Sequence, residues 1–495
     1  MSIDVIRAGA LRHHGGVRGA THAPSSSSFE GRFGRMFRGL PPARFQEEDL
    51  LALGKAMTAD ADAPTDEHVR DDEENPAIEA GYTYLGQFID HDLTFDPASS
   101  LQRRDDPDAL TDFRTPRFDL DCIYGRGPSD QPYLYEDDGI RLLLGEPLSG
   151  NAADPHAADL PRNSLGRALI GDPRNDENRL VAQLQVAMLR FHNVMASMLP
   201  GAAFEEVQQQ VRWHYQWIVL HDFLPTIVKP EAFDAVFPHG PARPPELRFF
   251  HWRNAPFIPI EFSAAAYRFG HSMIRPIYRF NETVERRPIF SATPNDSSAD
   301  LGGFRPIPDD WAIDWRFFFL LDTAPQIGRP QQSYKPDTSV VNPLGALPPS
   351  IATDPSSLPQ RNLLRGWRMG LPSGQAVARA MGENVLDEEK LVVGKAVESD
   401  QPGTPLARIS PRLAGNAPLW YYVLAEAQSD FEDDDTPLQL KGVGGRIVAE
   451  TFAGLLWGDR HSYLRQDPGF TPLASLGRNG QFGMVELIRS VLEAT

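Results

Sequence analysis

A mainly α-helical fold with long irregular loops and little β-structure is the fold class that the sequence predicts. Apolar residues recur at helical spacing over 180–195 and 204–223, and Pro225 predicts where the second of these helices ends. Similar patterns cover 419–427 and 443–457, whereas alternating strand patterns are few and short. The 44 prolines and 40 glycines favour helices that are joined by structured loops.

Polar and Pro-rich segments predict loops around one large domain. Residues 1–28 are rich in Gly, His and Ser and predict a disordered arm, so the domain is assigned to 29–495. The acidic stretches 60–76 and 430–435 and the Pro-rich stretch 330–360 lack apolar periodicity, which predicts surface loops.

Composition excludes several classes of function. The net charge is -19, from 48 basic and 67 acidic residues, and this disfavours nucleic acid and anionic membranes as partners. Cys122 is the only cysteine, which excludes intramolecular disulfides, Cys-rich metal sites and c-type haem attachment. No apolar run approaches the length of a membrane-spanning helix.

Three polar side chains share one face of the apolar segment 81–92. Gln87, Asp90 and His91 are spaced i, i+3, i+4 on a helix, and Asp92 is turned about 100° away from His91. Polar groups in such a setting need partners or a cofactor. From these residues alone, a hydrogen-bonded core histidine explains the pattern as well as a cofactor site does.

Oxygen-bearing residues alternate along 115–125. Thr115, Asp119 and Asp121 offer a hydroxyl and two carboxylates, and the backbone carbonyl of Arg117 lies between them in sequence. This set suits a hard cation such as calcium, which takes oxygen ligands. An Asp-rich turn without a metal would have the same sequence, so the loop alone leaves both interpretations open.

Two other segments have an equally plain structural interpretation. Arg174 and Glu177 are three residues apart, a spacing typical of surface ion pairs that contribute little to stability. His271 lies in the apolar segment 266–276, where a single histidine is more commonly structural than a ligand.

Taken in order, these segments resemble the animal haem peroxidases, the superfamily of myeloperoxidase, lactoperoxidase and peroxidasin. Residues 86–92 match the family pattern Gly-Gln-x-x-Asp-His-Asp at every fixed position. The other matching blocks follow in family order, with family-like gaps: 115–125, 174–177, 268–271 and 362–372. The resemblance covers about residues 30–460 and is closest to the shorter bacterial members.

The resemblance implies a haem b group with catalytic residues on its distal side. His91 would be the distal base, Arg174 the distal arginine, and Gln87 would lie near the halide and water site. Asp90 and Glu177 would form ester links to the haem.

On the proximal side the resemblance implies that His271 is the iron ligand. Asn362 would accept a hydrogen bond from this histidine and so fix its tautomer. Arg268 and Arg365 would contact the haem propionates.

The resemblance also implies a calcium ion that locks the distal helix in place. Its ligands would be Asp92, Thr115, the carbonyl of Arg117, Asp119 and Asp121. Asp121 stands where mammalian members often have serine, and it still offers oxygen.

The activity that the resemblance implies is reduction of hydrogen peroxide with oxidation of small donors through a ferryl state of the haem. Iodide, bromide, thiocyanate and phenols are the expected donors. Asn178 stands where myeloperoxidase has a methionine that forms a third haem link, so we expect no third link here. Family chemistry suits the outside of the cell, yet residues 1–16 contain no apolar stretch of signal-peptide length, which leaves a cytoplasmic location open.

Three alternatives stay open beside the peroxidase. The fatty-acid dioxygenases related to cyclooxygenase need a tyrosine three residues before the proximal histidine, where this chain has Arg268, and they lack the two ester-forming carboxylates. A calcium-dependent matrix protein with a vestigial haem site would not need His91, Arg174 and His271 intact. A catalase-like scavenger would oxidise peroxide itself, although catalases proper use a tyrosinate ligand.

Overall fold

Helices dominate the regular structure of the computed structural model, so the predicted mainly α-helical class is confirmed. The structure describes residues 31–60, 70–94, 111–112, 114–291, 300–321, 329–398 and 403–494. The predicted arm 1–28 and part of the predicted acidic loop, 61–69, lie outside these ranges.

The α-helices within the described ranges differ widely in length. In chain order they are α1 Glu47–Ala56, α2 Ala80–Leu93, α3 Asp121–Tyr124, α4 Arg179–Met198, α5 Phe204–Ile218, α6 Leu224–Ile227, α7 Pro230–Asp234, α8 Ile260–Ser263, α9 Leu358–Arg368, α10 Gly374–Met381, α11 Leu406–Ile409, α12 Leu419–Gln428, α13 Gly442–Gly458, α14 Tyr463–Gln466 and α15 Met484–Glu493. Short 3-10 turns cover Pro132–Leu134, Pro173–Asp176, Ala266–His271, Trp315–Phe317, Asn342–Gly345, Glu388–Lys390 and Pro411–Leu413. A π-helical turn covers Val219–Phe223.

The strands are short and form small separate sheets. They are β1 Gly31–Gly34, β2 Glu74–Glu79, β3 Thr111–Asp112, β4 Ile258–Pro259, β5 Ile277–Tyr278, β6 Arg287–Pro288, β7 Gln332–Tyr334, β8 Val392–Val393 and β9 Thr404–Pro405. β1 lies between β3, to which it is antiparallel, and β4, to which it is parallel. The pairs β2–β7, β5–β6 and β8–β9 are antiparallel.

The long apolar stripes form the helices that they predict. The stripe 180–195 lies in α4, which begins after Asn178, whose side chain accepts hydrogen bonds from the first turn. The patterns at 419–427 and 443–457 lie in α12 and α13. Nearly every residue of α13 is buried, so this helix belongs to the core rather than to its edge.

The predicted end of the second stripe is wrong. α5 ends at Ile218, the π turn Val219–Phe223 continues it, and α6 includes Pro225 in its first turn. Proline is tolerated there because the amides of a first turn have no intrahelical partner to lose.

The predicted loop 330–360 is wrong in part, because it contains β7, a 3-10 turn and the first residues of α9. The predicted loop 60–76 likewise contains the first residues of β2. β2 pairs with β7 through Glu74 opposite Tyr334, across a separation that no local pattern reveals.

The helix that carries the first polar constellation, α2, lies at the centre of the contacts that build the site. It packs against α4 and against the 3-10 turns Pro173–Asp176 and Ala266–His271. Asp222 in the π turn accepts hydrogen bonds from the Tyr82 hydroxyl of α2 and from the backbone amide of Met484, the first residue of α15. Across the described ranges, none of the helices has both the length and the apolar character needed to cross a bilayer.

Candidate functional site

The imidazole of His91 is buried, with only 4% of the residue exposed, and its orientation is fixed by a side chain from another element. Nδ1 lies 2.7 Å from Oδ1 of Asn175, in the turn Pro173–Asp176. The Asn175 amide nitrogen in turn donates to Oε1 of Gln185 on α4 at 2.7 Å. Because this second bond fixes the Asn175 amide, its oxygen accepts from Nδ1–H of His91, which leaves Nε2 as the ring nitrogen that faces Glu177.

The carboxylate of Glu177 contacts both Nε2 of His91 and the side chain of Gln87. Its Oε1 lies 3.5 Å from Nε2 of His91 and accepts a 2.5 Å hydrogen bond from the Gln87 amide. Asn178 donates to the amide oxygen of Gln87 at 3.0 Å, which orients that amide towards Glu177. Burial acts to raise the pKa of Glu177, but interactions with His91, Arg174 and Gln87 outweigh it and hold the pKa below its usual value.

Arg174 lies beside His91 but turns its guanidinium to the backbone. Nη2 donates to the carbonyl of His91 at 3.0 Å and also to the carbonyl of Thr94. Asp172 accepts from Nη2 at 2.8 Å and from Nε at 3.2 Å. Arg174 therefore supports the carboxyl end of α2 and places a positive charge next to His91.

Asp90 and Arg268 bring the distal helix and the His271 turn into electrostatic contact. Oδ1 of Asp90 accepts a 3.2 Å hydrogen bond from the Thr94 hydroxyl. Burial lowers the pKa of Arg268, and the carboxylate of Asp90 acts on it in the opposite direction. The Tyr267 hydroxyl donates to the carbonyl of Gly86 at 3.2 Å, so the two elements also touch directly.

His271 and Asn362 form the contact that the sequence predicts, with the opposite polarity. The amide nitrogen of Asn362 lies 2.8 Å from Nδ1 of His271, whereas the sequence predicts that the amide oxygen accepts there. Arg268 explains the difference, because Nη1 donates to the Asn362 oxygen at 3.4 Å and turns it away from the histidine. Ligation through Nε2 of His271 needs Nδ1 protonated, and a flipped Asn362 amide would then accept from it.

Arg365 follows Asn362 by three residues on α9 and is half-buried. Burial, and secondly the charge of Arg268, lower the pKa of His271 to about 3, so the imidazole is neutral. A neutral imidazole is the form that ligates a metal.

Three carboxylates from two elements meet at the predicted calcium site. Oxygens of Asp92, Asp119 and Asp121 lie within 4.8 Å of one another. Asp92 is fully buried, and its two oxygens make no hydrogen bond to any described residue. Burial, and then repulsion from Asp119 and Asp121, raise the pKa of Asp92 well above its usual value. Buried carboxylates of this kind are retained in proteins when a cation or a hydrogen bond compensates them.

The remaining predicted ligands lie on the same loop. The Thr115 hydroxyl donates to Oδ2 of Asp119 at 2.6 Å. The Arg117 side chain approaches Asp459, with Nε 3.7 Å from Oδ1. Thr115, Arg117, Asp119 and Asp121 line a cleft that α5 also borders, which gives an ion a path from solvent.

Sequence patterns miss several residues that position this site. Asn175 orients His91, Asn178 orients Gln87, and Asp172 holds Arg174. Arg114, which directly precedes the cation loop, donates to both Asp121 and Asp172. Proximity to a named motif was the sequence signal for these residues, because the contacts Asn175–His91, Asn178–Gln87 and Arg114–Asp172 join residues 58 or more positions apart.

The residues on both sides fit a haem group. His271 offers a neutral imidazole as a ligand, and Arg268 and Arg365 suit propionates. The Glu177 side chain is 37% exposed although it faces the buried His91, so it borders open space. A Cβ added to Gly270, next to His271, would meet no atom within 4 Å, which indicates open space on that side as well.

Comparison with known proteins agrees with this geometry. Residues 101–299 match the family model described as animal haem peroxidase. Thyroid peroxidase of Homo sapiens is 28% identical over 214 residues, which are 38% of this chain and 22% of that protein. Dual oxidase of Drosophila melanogaster is 31% identical over 158 residues, which are 30% of this chain and 9% of that protein. The matched part therefore spans less than a quarter of each curated relative.

Solved structures with the same fold cover most of the chain. Peroxidase A from Dictyostelium discoideum superposes with a TM-score of 0.53 at 14% identity, covering 90% of this chain and 92% of that one. The fatty acid alpha-dioxygenase of Oryza sativa gives a TM-score of 0.53 at 12% identity, covering 92% and 78%. At these identities the superpositions show the fold alone. The match over residues 101–299 and the shared fold together support the resemblance to the animal haem peroxidases that the sequence motifs predict.

Proposed function

We propose that this protein is a haem peroxidase that reduces hydrogen peroxide and oxidises small donors. Similarity to animal haem peroxidase over residues 101–299 favours a haem cofactor and oxidoreductase chemistry. The observation that carries the proposal is the fixed tautomer of His91, because Asn175 and Gln185 leave Nε2 as a proton acceptor beside Glu177. A histidine held in this way is equipped for general base catalysis.

The haem would supply the redox chemistry, and His271 would hold its iron. His91 would take a proton from one peroxide oxygen at Nε2 and return it to the other. Arg174 would add positive charge beside the imidazole, where negative charge develops on the leaving oxygen. Asn362 would orient His271, and Arg268 and Arg365 would hold the propionates.

Small anions and phenols are the donors that we propose. Gln87 would hold an anion or a water molecule near Nε2, since its amide already lies between Glu177 and Asn178. The net charge of -19 gives no long-range attraction for iodide, bromide or thiocyanate. Local arginines would therefore provide any steering of an anion into the site.

We further propose ester links from Asp90 and Glu177 to the haem. Glu177 borders open space beside His91, and Asp90 lies within electrostatic reach of Arg268 on the proximal turn. With Asn178 at the next position, a third link through a methionine sulfur is not available.

Calcium is the cation that we propose for the carboxylate cluster. Asp92, Asp119 and Asp121 supply charge, Thr115 a hydroxyl, and Arg117 a backbone carbonyl. An all-oxygen set with three carboxylates suits calcium better than a softer metal.

A visible spectrum with supplied haem tests the central proposal. We expect a Soret band that shifts when peroxide is added, and haem that stays with the protein in acidified ketone after turnover. The H91Q variant should keep the band but react with peroxide about 100-fold to 10,000-fold more slowly, because the general base is lost. The matched control is H239Q, since His239 is exposed on the surface and should behave as the unaltered protein.

The other outcomes separate the parts of the proposal. Haem that binds but extracts freely after turnover would contradict the ester links alone. Absence of haem binding would contradict the function itself. Oxygen uptake with a fatty acid, in place of donor oxidation, would support a dioxygenase, the reaction named for the Oryza sativa structure with this fold.

A further inference from the structure

We propose that a buried chain of ion pairs, Asp121–Arg114–Asp172–Arg174, couples occupancy of the calcium site to the position of the distal arginine. This inference rests on the calcium site proposed above. It assigns Arg114 and Asp172 as positioning residues, which act on the site through Arg174.

The first link joins the cation loop to Arg114. Nη1 of Arg114 donates to Oδ1 of Asp121 at 3.0 Å, and only 1% of Arg114 is exposed. Burial acts to lower the pKa of Arg114, but Asp121 and Asp172 outweigh it and raise the pKa above its usual range. The guanidinium is therefore held as a cation between two carboxylates, out of reach of solvent screening.

The second link joins Arg114 to Arg174 through a shared carboxylate. Nε of Arg114 donates to Oδ2 of Asp172 at 2.9 Å, and Nη2 of Arg174 donates to the same oxygen at 2.8 Å. Asp172 also caps its own 3-10 turn, because Oδ1 accepts from the Arg174 backbone amide at 2.9 Å. Burial acts to raise the pKa of Asp172, but Arg174 and Arg114 together hold it well below its usual value.

The third link reaches the catalytic helix. Nη2 of Arg174 donates to the backbone carbonyls of His91 and Thr94, at the carboxyl end of α2. Asp92, the buried carboxylate of the cation cluster, lies between these two residues in sequence. The cation would therefore act on this end of α2 twice, directly through Asp92 and indirectly through Arg114 and Asp172.

Charge balance makes the indirect route sensitive to the cation. Four carboxylates, those of Asp92, Asp119, Asp121 and Asp172, outnumber the two guanidiniums of this chain of ion pairs. Further arginines line the cleft, but Arg117 faces Asp459 and Arg212 donates to the carbonyl of Asp119. Loss of a divalent cation leaves repelling carboxylates in a low-dielectric interior. Without the cation, Asp121 attracts Arg114 more strongly, and Arg114 moves away from Asp172. Asp172 then loses one of its two arginine partners, and its ion pair with Arg174 becomes less well ordered.

Hydrogen–deuterium exchange of the purified full chain, with calcium or after chelation, tests the inference. Calcium should slow exchange of the backbone amides in 115–125 and also in 172–177, on the order of tenfold in the second segment. The R114M variant should keep calcium protection of 115–125 and lose it in 172–177. R114K, which keeps the charge without the two-pronged geometry, should restore part of that protection.

Two further variants serve as controls, the first for misfolding of R114M and the second for non-specific destabilisation of the fold. R114L combined with D121S removes a buried cation and a buried anion together and keeps an oxygen ligand, so it should fold, bind calcium and lack the coupling. R190M breaks the buried ion pair between Arg190 and Asp154, which is separate from this chain of ion pairs, and should leave both protected segments unchanged.

Each outcome has a defined meaning. Calcium protection of 172–177 that persists in R114M and in the double variant would overturn the coupling. Protection of 115–125 alone in the unaltered protein would also overturn it. No calcium protection anywhere would refute the calcium site and the coupling together. The visible spectrum with supplied haem tests the peroxidase proposal separately. The exchange experiment does not require activity, so the two proposals can fail independently.

Discussion

At the scale of single residues, the sequence grouped some of the side chains that lie together but gave no signal for those that orient them. Helical spacing brings Gln87 and His91 to one face, and the structure adds Glu177 opposite them. Asn175 gave no such signal, because its contact with His91 joins residues that lie 84 positions apart. Its importance appears only when the tautomer of His91 is worked out from the hydrogen bonds.

Replacing Asn175 should therefore impair peroxide reduction without removing a proposed catalytic group. In N175L, Nδ1 of His91 loses its acceptor, and the fraction of the ring with a free Nε2 falls. We expect kcat/KM for peroxide to fall about 10-fold to 100-fold, the range found when partners that orient a functional histidine are removed. Stopped-flow mixing of the haem-loaded protein with peroxide measures this rate.

The control is N193L. Asn193 binds the backbone of Leu142 through both amide atoms and touches none of the proposed catalytic residues. An equal loss of rate in N193L would attribute the effect to general destabilisation. An unchanged rate in N175L would contradict the role given to Asn175.

At the scale of elements, long apolar stripes predicted helices well and proline predicted their ends poorly. The apolar stripe 180–195 lies entirely within the 20-residue helix α4, because burial of one long apolar face outweighs the helix propensities of single residues. α5 continues through a π turn past the expected end at Pro225, because tertiary contacts of the Val219–Phe223 turn favour continuation. Contacts of this kind are invisible to a local pattern.

His214 anchors α5 and gives this element a predictable response to acid. Its Nδ1 donates to the carbonyl of Gln210, and its Nε2 accepts from the amide of Leu473 at 3.0 Å, so the buried ring is neutral. Burial lowers the pKa of His214 to about 4, below its value of 6.5 when unfolded. Because the folded-state pKa is lowered, the unfolded chain takes up a proton at this histidine more readily than the folded protein does. The contribution of His214 to the free energy of unfolding is therefore fully present above about pH 6.5 and is lost as the pH falls towards 4.

We expect this histidine to account for about 3 kcal/mol of the stability lost between these pH values, at 1.4 kcal/mol per pKa unit. In H214Q the amide can still accept from Leu473, and the loss between about pH 7 and about pH 4.5 should shrink by roughly that amount. Chemical denaturation at the two pH values measures the difference. An identical pH dependence in both proteins would show that His214 does not titrate on unfolding.

At the scale of the whole molecule, the mainly α-helical fold class was predictable from the sequence, whereas the small sheets were not. β1 pairs with β3 and with β4, strands of two residues each that carry no periodic signal. Such pairings form because the helices around them fix where the chain passes. The carboxylate cluster is intermediate, since the sequence grouped Asp92, Asp119 and Asp121 but gave no signal for their neighbours Arg114 and Asp172.

A bound cation at Asp92, Asp119 and Asp121 should stabilise the whole fold, because it binds only when α2 and the loop are assembled. At a calcium concentration about 100 times the dissociation constant, the stabilisation is about 2.7 kcal/mol. We expect chelation to lower the Tm by several degrees and calcium to restore it. D119N should abolish the response, whereas E389Q, at an exposed carboxylate, should retain it.

The hydrogen bonds of Asp222 have a consequence for how the protein is made. One carboxylate joins Tyr82 of α2 to Met484, which lies 262 residues after Asp222 in the chain. During translation the amino-terminal part is released first, so α2 emerges long before its support from α15 exists. Both hydrogen bonds of Asp222 can therefore form only after residue 484 has left the ribosome. If the proposed haem enters a site whose α2 is held in this way, it does so after synthesis of the chain is nearly finished.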